Sequence, residues 1–168
     1  MNTPPFEPLG ALRALARGDV AFVLIGGIAA RLHGSPSITR DIDICYSRAA
    51  DNVERLVEVL VSLNARLRGV DEDVPFLLDA RTLLAGANFT FVTDVGDVDV
   101  LALPAGVEGY EELEANAERV ELDGVTVLVA TLDDLIRMKQ AAGRAKDRAE
   151  LEILAALRDE RGPGSTDG

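Results

Sequence analysis

The chain has 168 residues, 48% hydrophobic and 27% charged, the size and balance of one compact domain with a core large enough to fold unaided. Its 17 Lys and Arg against 29 Asp and Glu give a net charge of −12, and aromatics make up 4% with no Trp, which excludes coating of a long duplex by phosphate neutralisation and disfavours a base-stacking platform. A single cysteine, Cys45, and a single histidine, His33, exclude an internal disulfide and a Cys/His zinc centre, so any metal must be held by oxygen.

The opening MNTPPFEPLG has neither a basic nor an apolar signal region, and no apolar run reaches the roughly 18 residues that span a bilayer, so a cytoplasmic protein is expected. Pro8 to Gly18 reads as a short helix with a left-handed cap at Gly18. Val20 to Ile25 is a continuous apolar run of strand length, followed by Gly26-Gly27 and a return to helical spacing through Ile28, Ala29 and Leu32. Ile38 to Tyr46 alternates strictly and reads as a strand with Asp41, Asp43 and Cys45 on one face.

From Ala49 to Leu67 the apolar spacing predicts a long amphipathic helix, with Ser47 as a cap. GVDEDVPF reads as a polar loop, and Leu77 to Ala85 carries no decisive period. Asn88 to Thr93 and Val98 to Leu103 read as a hairpin turning at Gly96, and ERVELDGVTVLVA as a second hairpin turning at Asp123-Gly124. Between them Tyr110 to Ala117 is a short acidic helix or loop. Thr131 with Asp134 opens a helix to Ala142, and a last helix is expected over Ala145 to Arg158. The reading is one α/β (α+β) domain over residues 1–160, a mixed sheet with helices packed on it, and a disordered Gly/Ser/Pro-rich tail at 161–168.

The residues that point to chemistry are Gly26-Gly27, Asp41, Asp43 and an acid in GDVDVLAL. Alternate strand positions set Asp41 and Asp43 side by side, and an adjacent strand bearing Asp99 completes an oxygen-rich cluster suited to Mg2+. Asp97 shares the parity of Asp99 and is equally placed by alternation alone. Such a cluster serves in-line phosphoryl or nucleotidyl transfer, with backbone N–H groups at the glycine turn for phosphates. A second constellation is RMKQAAGRAKDRAELEIL, where between Arg137 and Arg148 five bases (Arg137, Lys139, Arg144, Lys146, Arg148) stand against one acid, Asp147, in an otherwise acidic chain. A local basic site of this kind can capture a nucleotide whatever the net charge. His33 reads as a helix-end residue and Cys45 as a small buried hydrophobe.

GGIAARLHGSPSITRDIDI resembles the signature of the DNA polymerase beta-type nucleotidyltransferase superfamily, in particular small bacterial members similar to the AbiEii and MenT toxins. The resemblance spans roughly residues 19–157 and implies the nucleotidyltransferase fold. It assigns nucleotide binding to Gly26, Gly27 and Lys139, a divalent cation (Mg2+ or Mn2+) to Asp41, Asp43 and Asp99, and catalytic roles to these acids with Lys139 and Asp147. Within it Asp99 is preferred to Asp97, because the family acid lies in an apolar run after a glycine. Ser37 departs from the arginine of many members. The implied reaction moves NMP from an NTP to an acceptor hydroxyl. The toxin-like acceptor is a tRNA 3′ end, with a cognate antitoxin as partner. A small-molecule (aminoglycoside-like) or protein acceptor is the alternative, and a non-catalytic nucleotide-binding or antitoxin module is the rival of a different class.

Overall fold

The computed structural model describes residues 5–71 and 73–162. Seven strands form one mixed sheet: β1 (Phe22–Ile25), β2 (Asp41–Tyr46), β3 (Arg66–Leu67), β4 (Asn88–Thr93), β5 (Gly96–Leu101), β6 (Glu118–Leu122) and β7 (Val125–Val129), in the order β3-β4-β5-β2-β1-β7-β6. The helices are α1 (Pro8–Arg17), α2 (Gly26–Leu32), α3 (Ala50–Ser62), α4 (Ala80–Ala85), α5 (Tyr110–Asn116), α6 (Leu132–Ala142) and α7 (Asp147–Arg161). β1 is buried along its whole length between β2 and β7, which is why its sequence is continuously apolar and does not alternate.

Both predicted hairpins form. β4 and β5 pair antiparallel from Asn88↔Leu101 to Thr93↔Gly96, and β6 and β7 turn at Asp123 and Gly124 with φ of 48° and 83°. Two successive positive φ values define the turn type whose twist matches the flanking strands, and Gly124 adopts it without a Cβ penalty. Thr131 caps α6 as the spacing indicated, its Oγ1 accepting from the Asp134 N–H at 3.2 Å. α4, in the stretch without a decisive period, is capped by Asp79, which accepts from the Thr82 N–H at 2.8 Å.

Four local expectations need correction. The left-handed residue after α1 is Asp19 (φ 57°), while Gly18 stays at φ −79°. Gly18 is required for space, because a Cβ there would run into the Val59 side chain of α3. α3 ends at Ser62, four residues before Arg66, and Leu67 belongs to β3: a left-handed turn at Asn64 redirects the chain to pair with β4. Ser47 does not cap α3; the N-cap is Ala49, and the Ser47 Oγ accepts the Ala49 N–H at 3.3 Å. The strand expected from Ile38 starts at Asp41, leaving Ile38 89% exposed in the preceding loop. At the other end, Arg161 is the last residue of α7, and 163–168 of the expected tail lie outside the described residues.

Asn52 fixes the relation between β1 and β2 from within α3. It is 1% exposed, accepts from the Ala21 N–H at 2.7 Å and donates to the carbonyls of Ala21 (3.1 Å) and Ser47 (2.8 Å). These backbone groups lie just before β1 and just after β2, where the Ala21 carbonyl also accepts the Ser47 N–H at 3.1 Å while the Ala21 N–H and the Ser47 carbonyl rely on Asn52. Asn52→Ala removes the side-chain partner of the Ala21 N–H and of the Ser47 carbonyl, and should lower stability by about 2–4 kcal/mol, read as a reduced urea midpoint with an unchanged m-value.

Candidate active site

β1 and β2 are antiparallel, with Ile25 opposite Asp43, so the chain leaving β1 turns back past the start of β2. Gly26 (φ 70°) meets Asp43 there: a Cβ on Gly26 would lie 2.7 Å from the Asp43 Cγ and collide with its Oδ2. Gly27 meets Thr39, whose Cβ would stand 2.8 Å from an added Cβ. Each glycine therefore gives up its side chain to a residue of the DxD segment, and α2 begins in contact with the carboxylates. Thr39 also receives the Asp41 N–H on its Oγ1 at 3.4 Å, which ties the approach to β2. It is a site residue that sequence reasoning did not single out.

β2 and β5 are parallel and in register, Asp41 beside Asp97 and Asp43 beside Asp99. In-register neighbours point to the same face, so four aspartates occupy one face in a two-by-two arrangement. The two sequence rivals for the third acid separate in their surroundings. Asp97 is paired with Arg68, Nη1 to Oδ2 3.4 Å, whereas Asp99 lines the same cavity as Asp41 and Asp43, and its Oδ1 is buried with no hydrogen-bond partner.

Burial and clustering raise the two acids of β2. Burial, then a hydrogen bond and repulsion from Asp99, then repulsion from Asp41, push the Asp43 carboxyl up to about 8, against attraction from Lys139. Asp41 is also raised, by burial first and the Asp99 charge next, while Arg68 and Lys146 pull it down. Among the described residues no three His, Cys, Asp or Glu side chains stand as a ready-made metal-holding group. The donor chemistry nonetheless fits a hard divalent cation: the donors are all oxygen, one buried carboxylate oxygen is orphaned, and the raised Asp43 carboxyl reflects burial and repulsion that a cation would offset.

Facing this cluster is the corner between α6 and α7. Gly143 (φ 64°) ends α6 in the left-handed conformation, and the chain re-enters a helix at Asp147. Asp147 is 3% exposed and holds two cations, Lys139 Nζ at 3.1 Å and Arg144 Nε at 2.9 Å. Burial raises its carboxyl, but the hydrogen bonds from Lys139 and Arg144 outweigh it and keep it below the usual range. Of the five bases in this stretch, Lys139, Arg144 and Lys146 line the cavity. Arg137 turns away, bonded to Glu112, Asp134 and the Gly106 carbonyl.

The cavity has a volume of about 640 Å3. Its walls carry Gly26, Gly27, Thr39, Asp41, Asp43, Asp99, Lys139 and Asp147, so every sequence-predicted site residue reaches one space. Beyond Asp99 the wall continues through Asn88, Leu101, Pro104 and Ala105, none of them charged. His33 is outside it, its Nε2 bonded to the Ala130 carbonyl at 2.7 Å, joining the end of α2 to the end of β7. Cys45 is buried, and burial followed by the Glu111 charge raises its thiol to about 12, so it stays protonated.

Among solved structures the chain is similar to the lincosamide antibiotic adenylyltransferase LnuA in its lincomycin-bound form, with a TM-score of 0.59, 12% identity, and coverage of 89% of this chain and 94% of that one. The chain has the nucleotidyltransferase fold. A second neighbour with this fold is ANT(2″)-Ia in complex with adenylyl-2″-tobramycin, at a TM-score of 0.55, 14% identity and coverage of 90% and 95%. A third is an antigenic nucleotidyltransferase-like protein from Paracoccidioides brasiliensis, at 0.54, 17% identity and coverage of 94% and 77%. No protein-family model and no curated protein matches the chain.

Within this fold the raised Asp43 makes stability depend on pH. The folded protein holds a proton on Asp43 up to about pH 8, whereas the ordinary carboxyl releases it near 3.8, so stability must fall as pH rises between these values. In EDTA the thermal midpoint should drop between about pH 5.5 and pH 8.5, and Asp43→Asn should flatten that drop. A wild-type midpoint that stays level or rises over this range contradicts the clustering.

Proposed function

We propose that the protein is a metal-dependent nucleotidyltransferase that moves NMP from an NTP to a hydroxyl of a small-molecule acceptor. The observation that carries this reading is the meeting, in one cavity, of the carboxylate cluster with Gly26-Gly27 and Lys139. A triphosphate is strongly anionic, and the side of the cavity bearing Lys139, Arg144 and Lys146 is the side that attracts it. Asp147 keeps Lys139 extended toward that side, as a point charge with its orientation fixed.

Asp41, Asp43 and Asp99 would hold Mg2+ or Mn2+, which when bound offsets phosphate charge and stabilises the attacking and leaving oxygens. Gly26 and Gly27 let the backbone approach the phosphates without a side chain in the way. Asp99, which lines the cavity next to its uncharged wall, would accept the proton of the acceptor hydroxyl. The acceptor oxygen then bonds to the α-phosphorus, the bond from that phosphorus to the bridging oxygen breaks, and pyrophosphate leaves with the electron pair.

The small-molecule acceptor is supported by two observations. The wall beyond Asp99 is uncharged, which suits a compact hydroxyl compound better than a polyanion. Of two structural neighbours that span nearly the same length, one is named a lincosamide antibiotic adenylyltransferase and the other is in complex with adenylyl-2″-tobramycin. Arg144 and Lys146 at the cavity favour a second reading, the AbiEii/MenT-like one, with a tRNA 3′ end as acceptor and a cognate antitoxin as partner. The enzyme would work in the cytoplasm, where NTPs and Mg2+ abound. Among the described residues no helix is long and apolar enough to cross a membrane.

Incubation with each α-32P-labelled NTP and Mg2+, with lincosamides, aminoglycosides, total tRNA and the protein itself as acceptors, tests the reading. Label should enter a small molecule and fall about 10²–10³-fold or more with Asp41→Ala. Lys139→Ala should raise the KM for NTP. Label on tRNA ends selects the second reading, and failure to bind Mg2+-NTP leaves only the non-catalytic module.

A further inference from the structure

We propose that Arg68 is a positioning residue that commits Asp97 to an ion pair and so keeps it out of the metal set, leaving Asp41, Asp43 and Asp99 as the ligands. The inference rests on the reading of the carboxylate cluster as a divalent-cation site. It concerns a residue that no motif marks.

Strand alternation makes Asp97 and Asp99 equivalent, each in register with one acid of β2. The difference between them comes from the sheet edge. β3 pairs with β4 through Arg66↔Val92 and Leu67↔Phe91, and the Arg68 N–H extends the ladder to the Thr90 carbonyl at 3.0 Å. Arg68 is thereby opposite Thr90, itself opposite Asp99, and its parity puts it on the carboxylate face. The guanidinium reaches across β4 to Asp97, Nη1 to Oδ2 3.4 Å. Asp97 is outside the cavity wall that Asp41, Asp43 and Asp99 share.

As a stability device this pair is worth little, since Arg68 is 54% and Asp97 29% exposed. Its effect is on charge. Two pairs of carboxylates face each other across β2 and β5, an arrangement that disfavours the sheet as they ionise, and Arg68 offsets the charge of Asp97. With Asp97 occupied, the negative charge that faces the cavity is confined to three carboxylates. A divalent ion then has one place to bind, next to the glycine turn, and no competing position between Asp41 and Asp97.

Mn2+ binding to the full chain, followed by the electron paramagnetic resonance of free Mn2+, reads this without turnover. Arg68→Gln removes a positive charge and releases Asp97, and should tighten Mn2+ about five- to tenfold, the size expected for one charge several ångströms away in a wet cleft. Asp97→Asn leaves Arg68 uncancelled and should weaken Mn2+ by a similar factor. The double variant Arg68→Gln with Asp97→Asn should return within about twofold of wild type, because the two changes cancel in charge. Asp99→Asn should lose Mn2+ binding. The proposal is overturned if Arg68→Gln leaves affinity unchanged, or if the double variant loses binding as Asp99→Asn does, which would make Asp97 a ligand. Wild-type protein that takes up no Mn2+ removes the metal-site reading itself, and this inference with it.

Discussion

The site depends on one pairing: β2 and β5 run parallel and in register, so that Asp41 faces Asp97 and Asp43 faces Asp99. A sheet built for stability alone avoids like charges directly opposite each other. Here the repulsion is tolerated because β1, Ile42, Ile44, Val98 and Val100 bury the strands around it, and burial, followed by the neighbouring acids, raises the Asp43 and Asp41 carboxyls. In the proposed reading, a bound cation would offset that repulsion.

The surrounding elements divide the remaining work. The missing side chains of Gly26 and Gly27 are replaced by Asp43 and Thr39, so the turn into α2 and the start of β2 form one rigid unit. Asp147, buried at the start of α7, plays the same part for the cations, holding Lys139 and Arg144 where a flexible lysine alone would wander in solvent. Charge is thus graded across the cavity, from the Lys139 side through the carboxylates to the neutral wall at Asn88 and Leu101. That grading supports an NTP on one side and a compact acceptor on the other.

Much of this was legible in the sequence, for identifiable reasons. Asp41 and Asp43 could be put on one face because a strand has a period of two, and Asp123-Gly124 and Thr131 announced their turn and cap through local chemistry. Parity left Asp97 and Asp99 equal, since it is blind to what lies on the next strand, and Asp99 was preferred only through the family resemblance. The answer depends on Arg68, whose place is set by β3 at the sheet edge, a pairing hidden by the apolar spacing that ran the preceding helix on to Leu67. Similarly, spacing alone did not show that Arg137 is taken up by Glu112 of α5, a contact distant in sequence that adds to its local pair with Asp134. Thr39 escaped notice because its partner, the vacant side of Gly27, is a contact made across the turn.

The central claim is that the carboxylates accept a triphosphate only together with a divalent cation. Calorimetric titration with a non-hydrolysable ATP analogue, α,β-methylene ATP, in the presence and absence of Mg2+, tests it most directly. The account predicts binding with Mg2+, none in EDTA, and loss of the Mg2+-dependent signal in Asp43→Asn. Equal affinity with and without Mg2+, or binding unaffected by Asp43→Asn, contradicts it.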